Sequence, residues 1–306
     1  MKEEIKLSVN TGFAVNRFTE VEELANFCKN YLNIKFVQPT SDWLNLNMPK
    51  SFSLRHLNRI NRIFSKHNLA VNSTFTGAYT RLNHLAQPDK SYQEYWVNWF
   101  KHFINISLDL GAKYVGSHLG ILTYKDNLSK NRNSILTNRV IRNWNKVAEH
   151  AYKKKLKALI WEPMSISREF GDTINECKKI QKKLNEKSKI NFKICLDIGH
   201  GNLNSENRKD FNPYSWLNEF SYASPVIHIK QVVKNNFSHL PFTPLNNSKG
   251  LIKASKVLKI LRKNNNSDRE LSLELSFKER DPIDKNLKNE VRHSVNYWKK
   301  HLNNNK

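Results

Sequence analysis

The sequence is poor in cysteine, with three in 306 residues. Cys28, Cys177 and Cys195 lie far apart, and no C-x-x-C pair is present to indicate a zinc or redox site. An odd number of widely spaced cysteines also argues against a disulfide framework. The cysteine pattern therefore favours a protein of a reducing compartment.

Long apolar runs are absent as well. No stretch of about 18 apolar residues, the length that a membrane-spanning helix needs, occurs in the chain. The first residues, 1–6, pass almost directly into an apolar segment, without the basic region and long apolar stretch of a secretory signal. We therefore expect a cytoplasmic protein that has no membrane partner.

Acidic residues are few compared with basic ones: 27 Asp and Glu stand against 51 Lys and Arg, for a net charge of +24. Such a charge raises the hypothesis of a nucleic-acid partner. The basic residues are spread along the whole chain, however, whereas a binding footprint should concentrate on one helix, face or tail. We favour a solvated basic surface over a nucleic-acid partner, and the same field would attract an anionic small substrate.

Short β-branched or aromatic runs alternate with longer segments of helical spacing, which is typical of βα units around a parallel sheet. No linker rich in glycine, proline or serine divides the chain, and its length suits one barrel. We therefore predict an α/β fold: a single (β/α)8 TIM barrel domain over residues 1–306, with its active site at the C-terminal rim of the strands. The predicted strands are 5–9, 34–38, 69–74, 113–118, 156–162, 192–197, 226–230 and 270–276.

Helix start signals stand between these strands, at Thr19 before three glutamates and at Ser91 before an aromatic stripe. The longer helical patterns cover residues 131–154, 173–184 and 284–301, and residues 301–306 are expected to be a fraying tail. Three connections are polar and irregular, and in a barrel they would be active-site loops. They are residues 120–130, 201–213 and 231–249.

Ionisable residues stand at the ends of several apolar runs, where a buried strand should ordinarily carry none. Because the carboxyl ends of parallel barrel strands share one rim, these side chains should converge on one pocket. Lone buried carboxylates would cost several kcal/mol each, on the order expected for uncompensated buried charge, and a divalent cation would compensate them. We therefore predict a site for one Mn²⁺, Mg²⁺, Co²⁺ or Zn²⁺ ion. Its ligands would be Glu162, Asp197, His228 and Glu274.

Each of these residues has an ordinary structural alternative. A single acidic residue at a strand end is often a helix N-cap or an ion-pair partner, and a strand histidine is often a hydrogen-bonded core residue. His200, which follows Asp197 by three residues, could equally be a turn histidine between Gly199 and Gly201. The joint occurrence of four such groups on successive strands favours the metal site over four independent caps.

The residues at these strand ends resemble those of the xylose isomerase-like barrel superfamily, which includes sugar epimerases, hydroxypyruvate isomerase, inosose dehydratase and endonuclease IV. The resemblance is carried by Glu162-Pro-Met164, Cys195-Leu-Asp-Ile-Gly-His200, Val226-Ile-His-Ile-Lys230 and Leu273-Glu-Leu275.

A narrower set of motifs is similar to the D-erythrulose 1-phosphate 3-epimerase family of bacterial tetritol breakdown, from Asn10 to about Trp298. These motifs are Asn10-Thr-Gly-Phe-Ala-Val-Asn-Arg-Phe18, Ser73-Thr-Phe-Thr76, Thr80-Arg-Leu-Asn-His84, Gly116-Ser-His-Leu-Gly120, Glu162-Pro-Met-Ser-Ile-Ser-Arg-Glu-Phe-Gly171 and His228-Ile-Lys-Gln231.

The resemblance implies a divalent metal on the four predicted ligands and a proton shuttle in which Glu162 and Glu274 are the catalytic pair. The implied reaction is C3 epimerisation of L-erythrulose 1-phosphate to D-erythrulose 1-phosphate through a cis-enediolate, in erythritol catabolism. Two carboxylates on opposite faces of that planar intermediate can remove the proton from one side and return it to the other.

Barrels of this kind often form homodimers or homotetramers, so we keep both assemblies as expectations.

The small phosphorylated ketose needs further contacts. His118 and His200 are the candidates for hydrogen bonds to substrate oxygens, and His200 could polarise the carbonyl. The phosphate needs cations or backbone donors. Lys230, Arg81 and Arg168 are the candidates by motif, although the two arginines could instead form surface ion pairs.

Three alternatives stay open at this point. A 1,2-isomerase of a ketose or hydroxy acid would use the same metal and glutamates. An endonuclease IV-type nuclease shares the barrel but needs three zinc ions, a D-x-H pair and a third-strand histidine; this chain has Phe237-Ser-His239 and Asn72-Ser-Thr74 there. A catalytically inactive binding module is disfavoured, because no predicted ligand position is lost.

Overall fold

The computed structural model describes residues 5–234, 236–263 and 269–303. Eight parallel strands form the barrel: β1 Lys6–Asn10, β2 Phe36–Gln38, β3 Ser73–Phe75, β4 Tyr114–Ser117, β5 Ala158–Trp161, β6 Phe192–Asp197, β7 Val226–Ile229 and β10 Glu270–Leu273. Their order in the sheet is β2-β1-β10-β7-β6-β5-β4-β3. Isolated parallel bridges join Phe36 to Ala70 and Thr40 to Phe75, so the sheet edges at β2 and β3 meet and close the barrel.

The predicted (β/α)8 barrel is confirmed, and each predicted strand overlaps one barrel strand. Most observed strands are shorter than their apolar runs. Glu162, Lys230 and Glu274 consequently lie one residue beyond the last residue of β5, β7 and β10. These side chains therefore stand at the C-terminal rim, as the sequence predicts. The expectation that residues 1–306 form a single domain stays a prediction.

Helices surround the sheet, and their caps explain where they begin. The helices are α1 Val21–Asn26, α2 Ser41–Leu44, α3 Lys50–Lys66, α4 Lys90–Asp109, α5 Tyr124–Leu128, α6 Lys130–Lys153, α7 Ile174–Glu186, α8 Pro213–Phe220, α9 Pro244–Lys249, α10 Ala254–Lys263 and α11 Ile283–Asn303. Asp89 accepts a hydrogen bond from the Tyr92 N–H, so α4 begins before the predicted signal at Ser91. Thr173, the first residue of the predicted helical pattern 173–184, accepts from the Glu176 N–H and caps α7.

The prediction of irregular loops is wrong in two places. Residues 231–249 contain an antiparallel hairpin, β8 Gln231–Val233 and β9 Asn236–Leu240, followed by helix α9. Residues 120–130 contain helix α5, capped by Thr123. The predicted fraying tail is also partly helical, because α11 continues to Asn303; residues 304–306 lie outside the described residues.

The main apolar core lies between the helices and the sheet, where the aromatic stripe of α4 packs against α6. The barrel interior has two different halves. Buried apolar side chains cluster on β3 to β7, among them Phe75, Ile160 and Val226. Buried polar side chains occupy β1, β2, β3 and β10, so one side of the interior can supply hydrogen bonds to a site above it. They are Ser8, Asn10, Gln38, Ser73, Glu270 and Ser272.

The cysteines and the apolar character of the helices can also be compared with the sequence. Cys28, Cys177 and Cys195 are buried and unpaired, in agreement with the absence of a disulfide framework. Burial raises the pKa of Cys28 and that of Cys195 to about 12, so both are held as thiols. Within the described part of the chain, no helix has both the length and the apolar character needed to cross a membrane.

Candidate metal centre and substrate cavity

The four predicted ligands meet at the barrel rim. Glu162 follows β5, Asp197 ends β6, His228 lies in β7 and Glu274 follows β10. One ligand atom from each residue can be chosen so that all these atoms lie within 4.8 Å of one another. A single ion could therefore contact all four groups, whereas independent helix caps would not have to converge. Their assignment as ligands stays a prediction.

His228 is the centre of this cluster. Its Nδ1 lies 2.7 Å from Glu162 Oε1 and 3.5 Å from Glu274 Oε2. Burial disfavours the charged imidazolium, but the negative charges of Glu274 and Glu162 outweigh it and raise the pKa of His228 well above its ordinary value. In the absence of a bound ion the imidazolium is thus one of the cations at this cluster, and it must lose a proton before its nitrogen can bind a metal.

The other nitrogen of His228 is held by Gln38. His228 Nε2 donates to Gln38 Oε1 at 3.0 Å, and Asn10 Nδ2 and Ser272 Oγ donate to the same oxygen at 2.7 and 3.0 Å. Gln38 Nε2 donates to Ser73 Oγ, which orients the amide. Since an amide oxygen can only accept, the proton stays on Nε2 and the lone pair of the neutral ring is on Nδ1, facing the cluster.

Two features of the cluster fit a divalent cation. Burial, and then the nearby Glu274, raise the pKa of Glu162 to about 7 although His228 opposes them, so a further positive charge would stabilise the carboxylate. Glu274 Oε2 is buried, and its nearest nitrogens, on His228, His239 and Lys230, lie 3.5, 3.5 and 3.8 Å away, longer than ordinary hydrogen bonds. Hard oxygen donors with one imidazole suit Mn²⁺, Mg²⁺, Co²⁺ or Zn²⁺, as the sequence predicts.

Lys230 lies beside the cluster and is buried. Its Nζ donates to Asp197 Oδ2 at 2.5 Å and to His239 Nε2 at 2.7 Å, and it lies 3.8 Å from Glu274 Oε2. This ammonium is thus engaged with a predicted metal ligand. Lys230 does not belong to the described lining of the cavity above the cluster, and its predicted phosphate contact stays a prediction.

His200 faces the same carboxylate from the loop after β6. Its Nδ1 donates to the Pro163 carbonyl at 3.0 Å, and its Nε2 lies 3.4 Å from Asp197 Oδ2. Burial lowers the pKa of His200 to about 4, so the ring is neutral near pH 7 and its Nε2 carries a lone pair. Its predicted role in substrate binding is compatible with this position, because His200 lines the cavity.

The cavity above the cluster has a volume of about 520 Å³. Glu162 and Glu274 lie at its wall, so the predicted acid and base can both reach a molecule inside it. Phe75, Met164 and Leu275 supply an apolar surface. The polar lining consists of Asn10, Thr40, Asp42, Thr76, Arg81, His118, His200, His239 and Ser276.

His118 and Arg81 both lie at the cavity. His118 is buried with no hydrogen-bond partner for its Nε2 among the described residues, and burial lowers its pKa, so it can serve as a neutral hydrogen-bonding group. Arg81 contacts the buried Glu169 with two nitrogens, one of them at 2.9 Å. Arg168 is not part of the described lining; its Nη1 lies 3.5 Å from the Leu122 carbonyl.

Sequence reasoning missed Gln38 and His239 as site residues. Gln38 ends the second apolar run. The search for ionisable residues at the ends of apolar runs would have found it if amide side chains had been included. His239 was considered only as part of a D-x-H motif that the chain lacks. It reaches the site because the hairpin of β8 and β9, absent from the prediction, carries it back to the rim.

Comparison with known proteins agrees with this geometry. The family model of the xylose isomerase-like TIM barrel matches residues 28–301. The chain belongs to this family. A member described as D-erythrulose 1-phosphate 3-epimerase, from Brucella abortus strain 2308, is 40% identical over 300 residues, which are 97% of this chain and 96% of that protein.

Solved structures of this barrel family share the fold. A candidate xylose isomerase from Rhodospirillum rubrum ATCC 11170 superimposes with a TM-score of 0.85 at 22% identity, over 97% of this chain and 99% of that one. The D-psicose 3-epimerase of Clostridium cellulolyticum H10 gives 0.69 at 12% identity, again over 97% and 99%. At these identities the likeness establishes the barrel.

Proposed function

We propose that this chain is a divalent-metal-dependent 3-epimerase of a small ketose phosphate, interconverting L-erythrulose 1-phosphate and D-erythrulose 1-phosphate. The observation that carries the proposal is the convergence of Glu162, Asp197, His228 and Glu274 within 4.8 Å at the base of a cavity. The similarity to the Brucella abortus epimerase, which covers nearly the whole of both chains, supports the choice of substrate.

The four ligands would hold one ion, and when bound it supplies Lewis acidity toward the carbonyl and neighbouring hydroxyl oxygens of the ketose. Glu162 and Glu274 would carry out the proton transfers. They follow β5 and β10, which are separated by β6 and β7 in the sheet, so they approach the cavity from different sides. One glutamate removes the proton from C3 and the other returns a proton to the opposite face, which inverts that carbon.

The remaining cavity residues position the substrate. His118 Nε2 can hydrogen-bond a substrate oxygen. His200 Nε2 carries a lone pair, so it can accept from a substrate hydroxyl group but cannot donate to the carbonyl oxygen, which is the role that the sequence suggested for it. Arg81 is the one arginine or lysine in the described lining, and it is our candidate for the phosphate. Its ion pair with Glu169 fixes the guanidinium while leaving about half of the side chain exposed.

The proposal is tested by running the reaction in D2O with purified, metal-loaded protein and locating the label by NMR. We expect conversion between the two erythrulose phosphates with deuterium at C3. Deuterium at C1 alone would contradict epimerisation and favour the 1,2-isomerase.

Glu162→Gln and Glu274→Gln should each lower kcat by about 10²-fold or more, the usual contribution of a general acid or base.

A further inference from the structure

A second group of potential metal ligands adjoins the predicted centre. Asp197, His200 and His239 each offer a ligand atom, and these atoms lie within 4.8 Å of one another. Asp197 belongs to both groups. Two imidazoles and a carboxylate form a set that would suit Zn²⁺, so the residues alone would allow a second ion beside the first.

An ammonium group already stands at this second group. Lys230 Nζ is 2.5 Å from Asp197 Oδ2 and 2.7 Å from His239 Nε2, and the side chain is fully buried. This ammonium donates to Asp197 Oδ2 and to His239 Nε2, which belong to two of the three potential ligands. A neutral imidazole has one acceptor nitrogen, so His239 Nε2 cannot bind a divalent ion while it accepts from the ammonium.

The absence of a side chain at Gly199 makes room for the aliphatic part of the Lys230 side chain. A Cβ at Gly199 would lie 2.5 Å from Lys230 Cε, closer than real Cβ atoms approach, and 3.1 Å from Lys230 Cγ, which is tighter than most Cβ contacts. The glycine in Asp197-Ile-Gly-His200 therefore leaves room for the stem to run beneath the loop that carries His200. The buried position of the ammonium is thus built by two separate segments of the chain.

We infer that Lys230 occupies the place of a second divalent cation with its own charge, and so limits the centre to one metal ion. The charges agree with this assignment. Glu162, Asp197 and Glu274 carry three negative charges when ionised; one divalent ion leaves one of them uncompensated, and the ammonium neutralises it. A second divalent ion would instead give the site a net positive charge.

The consequence for the reaction concerns the two histidines. A second ion would take up the Nε2 lone pairs of His200 and His239. With Lys230 in place, His200 keeps its lone pair for the substrate side of the cavity, and His239 is held at the wall by a hydrogen bond. Lys230 is therefore a positioning residue that acts through Asp197 and His239.

The inference rests on the metal centre of the proposed function, and metal content separates the two. Metal-free protein is equilibrated with Zn²⁺, dialysed, and analysed for bound metal per chain by mass spectrometry. We expect one Zn²⁺ in the unmodified protein and two in Lys230→Ala. The double variant Lys230→Ala/His239→Ala, which removes a ligand of the second group only, should return to one.

Each other result counts against a specific claim. No bound Zn²⁺ in the unmodified protein would overturn both the centre and the inference. Two ions in the unmodified protein, or one ion in a folded Lys230→Ala variant, would overturn the inference and leave the centre standing. If circular dichroism shows that Lys230→Ala is unfolded, Lys230→Gln is used instead, because its amide oxygen can stabilise the cavity and ligate; two ions are again expected, and one would overturn the inference.

Discussion

The two nitrogens of the His228 imidazole have different partners. Nδ1 faces the predicted metal site, and Nε2 is hydrogen-bonded to Gln38. Gln38 Oε1 accepts hydrogen bonds from His228 Nε2, Asn10 Nδ2 and Ser272 Oγ, and Gln38 Nε2 donates to Ser73 Oγ. Ser73 in turn donates to the buried Glu270. This chain of hydrogen bonds through the polar half of the barrel interior fixes the ring before any ion binds, which lowers the cost of forming the site.

Replacing Gln38 by leucine should weaken metal binding. The ring of His228 would lose the acceptor that fixes its tautomer, and such supporting contacts are typically worth about 10–100-fold in metal affinity. Isothermal titration calorimetry of metal-free protein with Mn²⁺ measures the loss of affinity. Gln38→Glu, which keeps an oxygen acceptor, should lose less. If a folded Gln38→Leu variant binds Mn²⁺ with the affinity of the unmodified protein, Gln38 does not support metal binding.

At the scale of elements, the sequence predicts the barrel strands because their signal is local. An apolar run ending in an ionisable residue reports a buried strand and its rim together, as at Glu162 and Asp197. The hairpin of β8 and β9 has no such run: it is short and polar, and it is ordered by contacts with distant residues. Gln231 anchors it by accepting from the Ile252 N–H and donating to the Ile252 carbonyl, both at 3.0 Å.

Removal of the Gln231 amide should loosen this hairpin. In Gln231→Leu the buried polar groups of Ile252 lose their partner, which should lower the free energy of unfolding by about 1–3 kcal/mol. Amide hydrogen exchange followed by mass spectrometry should quicken in residues 231–250. Gln87→Leu, at a half-buried glutamine outside the hairpin, is the matched control and should leave exchange there unchanged. Unchanged exchange in Gln231→Leu would show that other contacts order the hairpin.

Across the whole molecule, buried neutral histidines make stability depend on pH. Burial, followed by the nearby His118, lowers the pKa of His84 to about 3, while its usual value is 6.5. Between these values the unfolded chain binds a proton that the folded chain does not. Stability therefore falls as pH is lowered below 6.5, by up to about 1.4 kcal/mol per pH unit from this residue.

This dependence can be measured by urea unfolding of metal-free protein at pH 7 and pH 5. His84→Asn keeps an acceptor for the Leu85 N–H but cannot titrate, so its loss of stability between the two pH values should be smaller by about 2 kcal/mol, the pKa difference spanned in that range. Equal losses in the two proteins would mean that His84 does not stay neutral when the protein folds.

The central claim for the molecule is that side chains from separate strands hold one divalent ion at the barrel rim. The most direct measurement is the metal content of purified protein and of Asp197→Ala, with Asp109→Ala at the exposed end of α4 as the control. We expect one bound divalent ion per chain in the unmodified protein and the control, and loss of that ion in Asp197→Ala without unfolding. Full metal occupancy in a folded Asp197→Ala variant would contradict the assignment of this metal site.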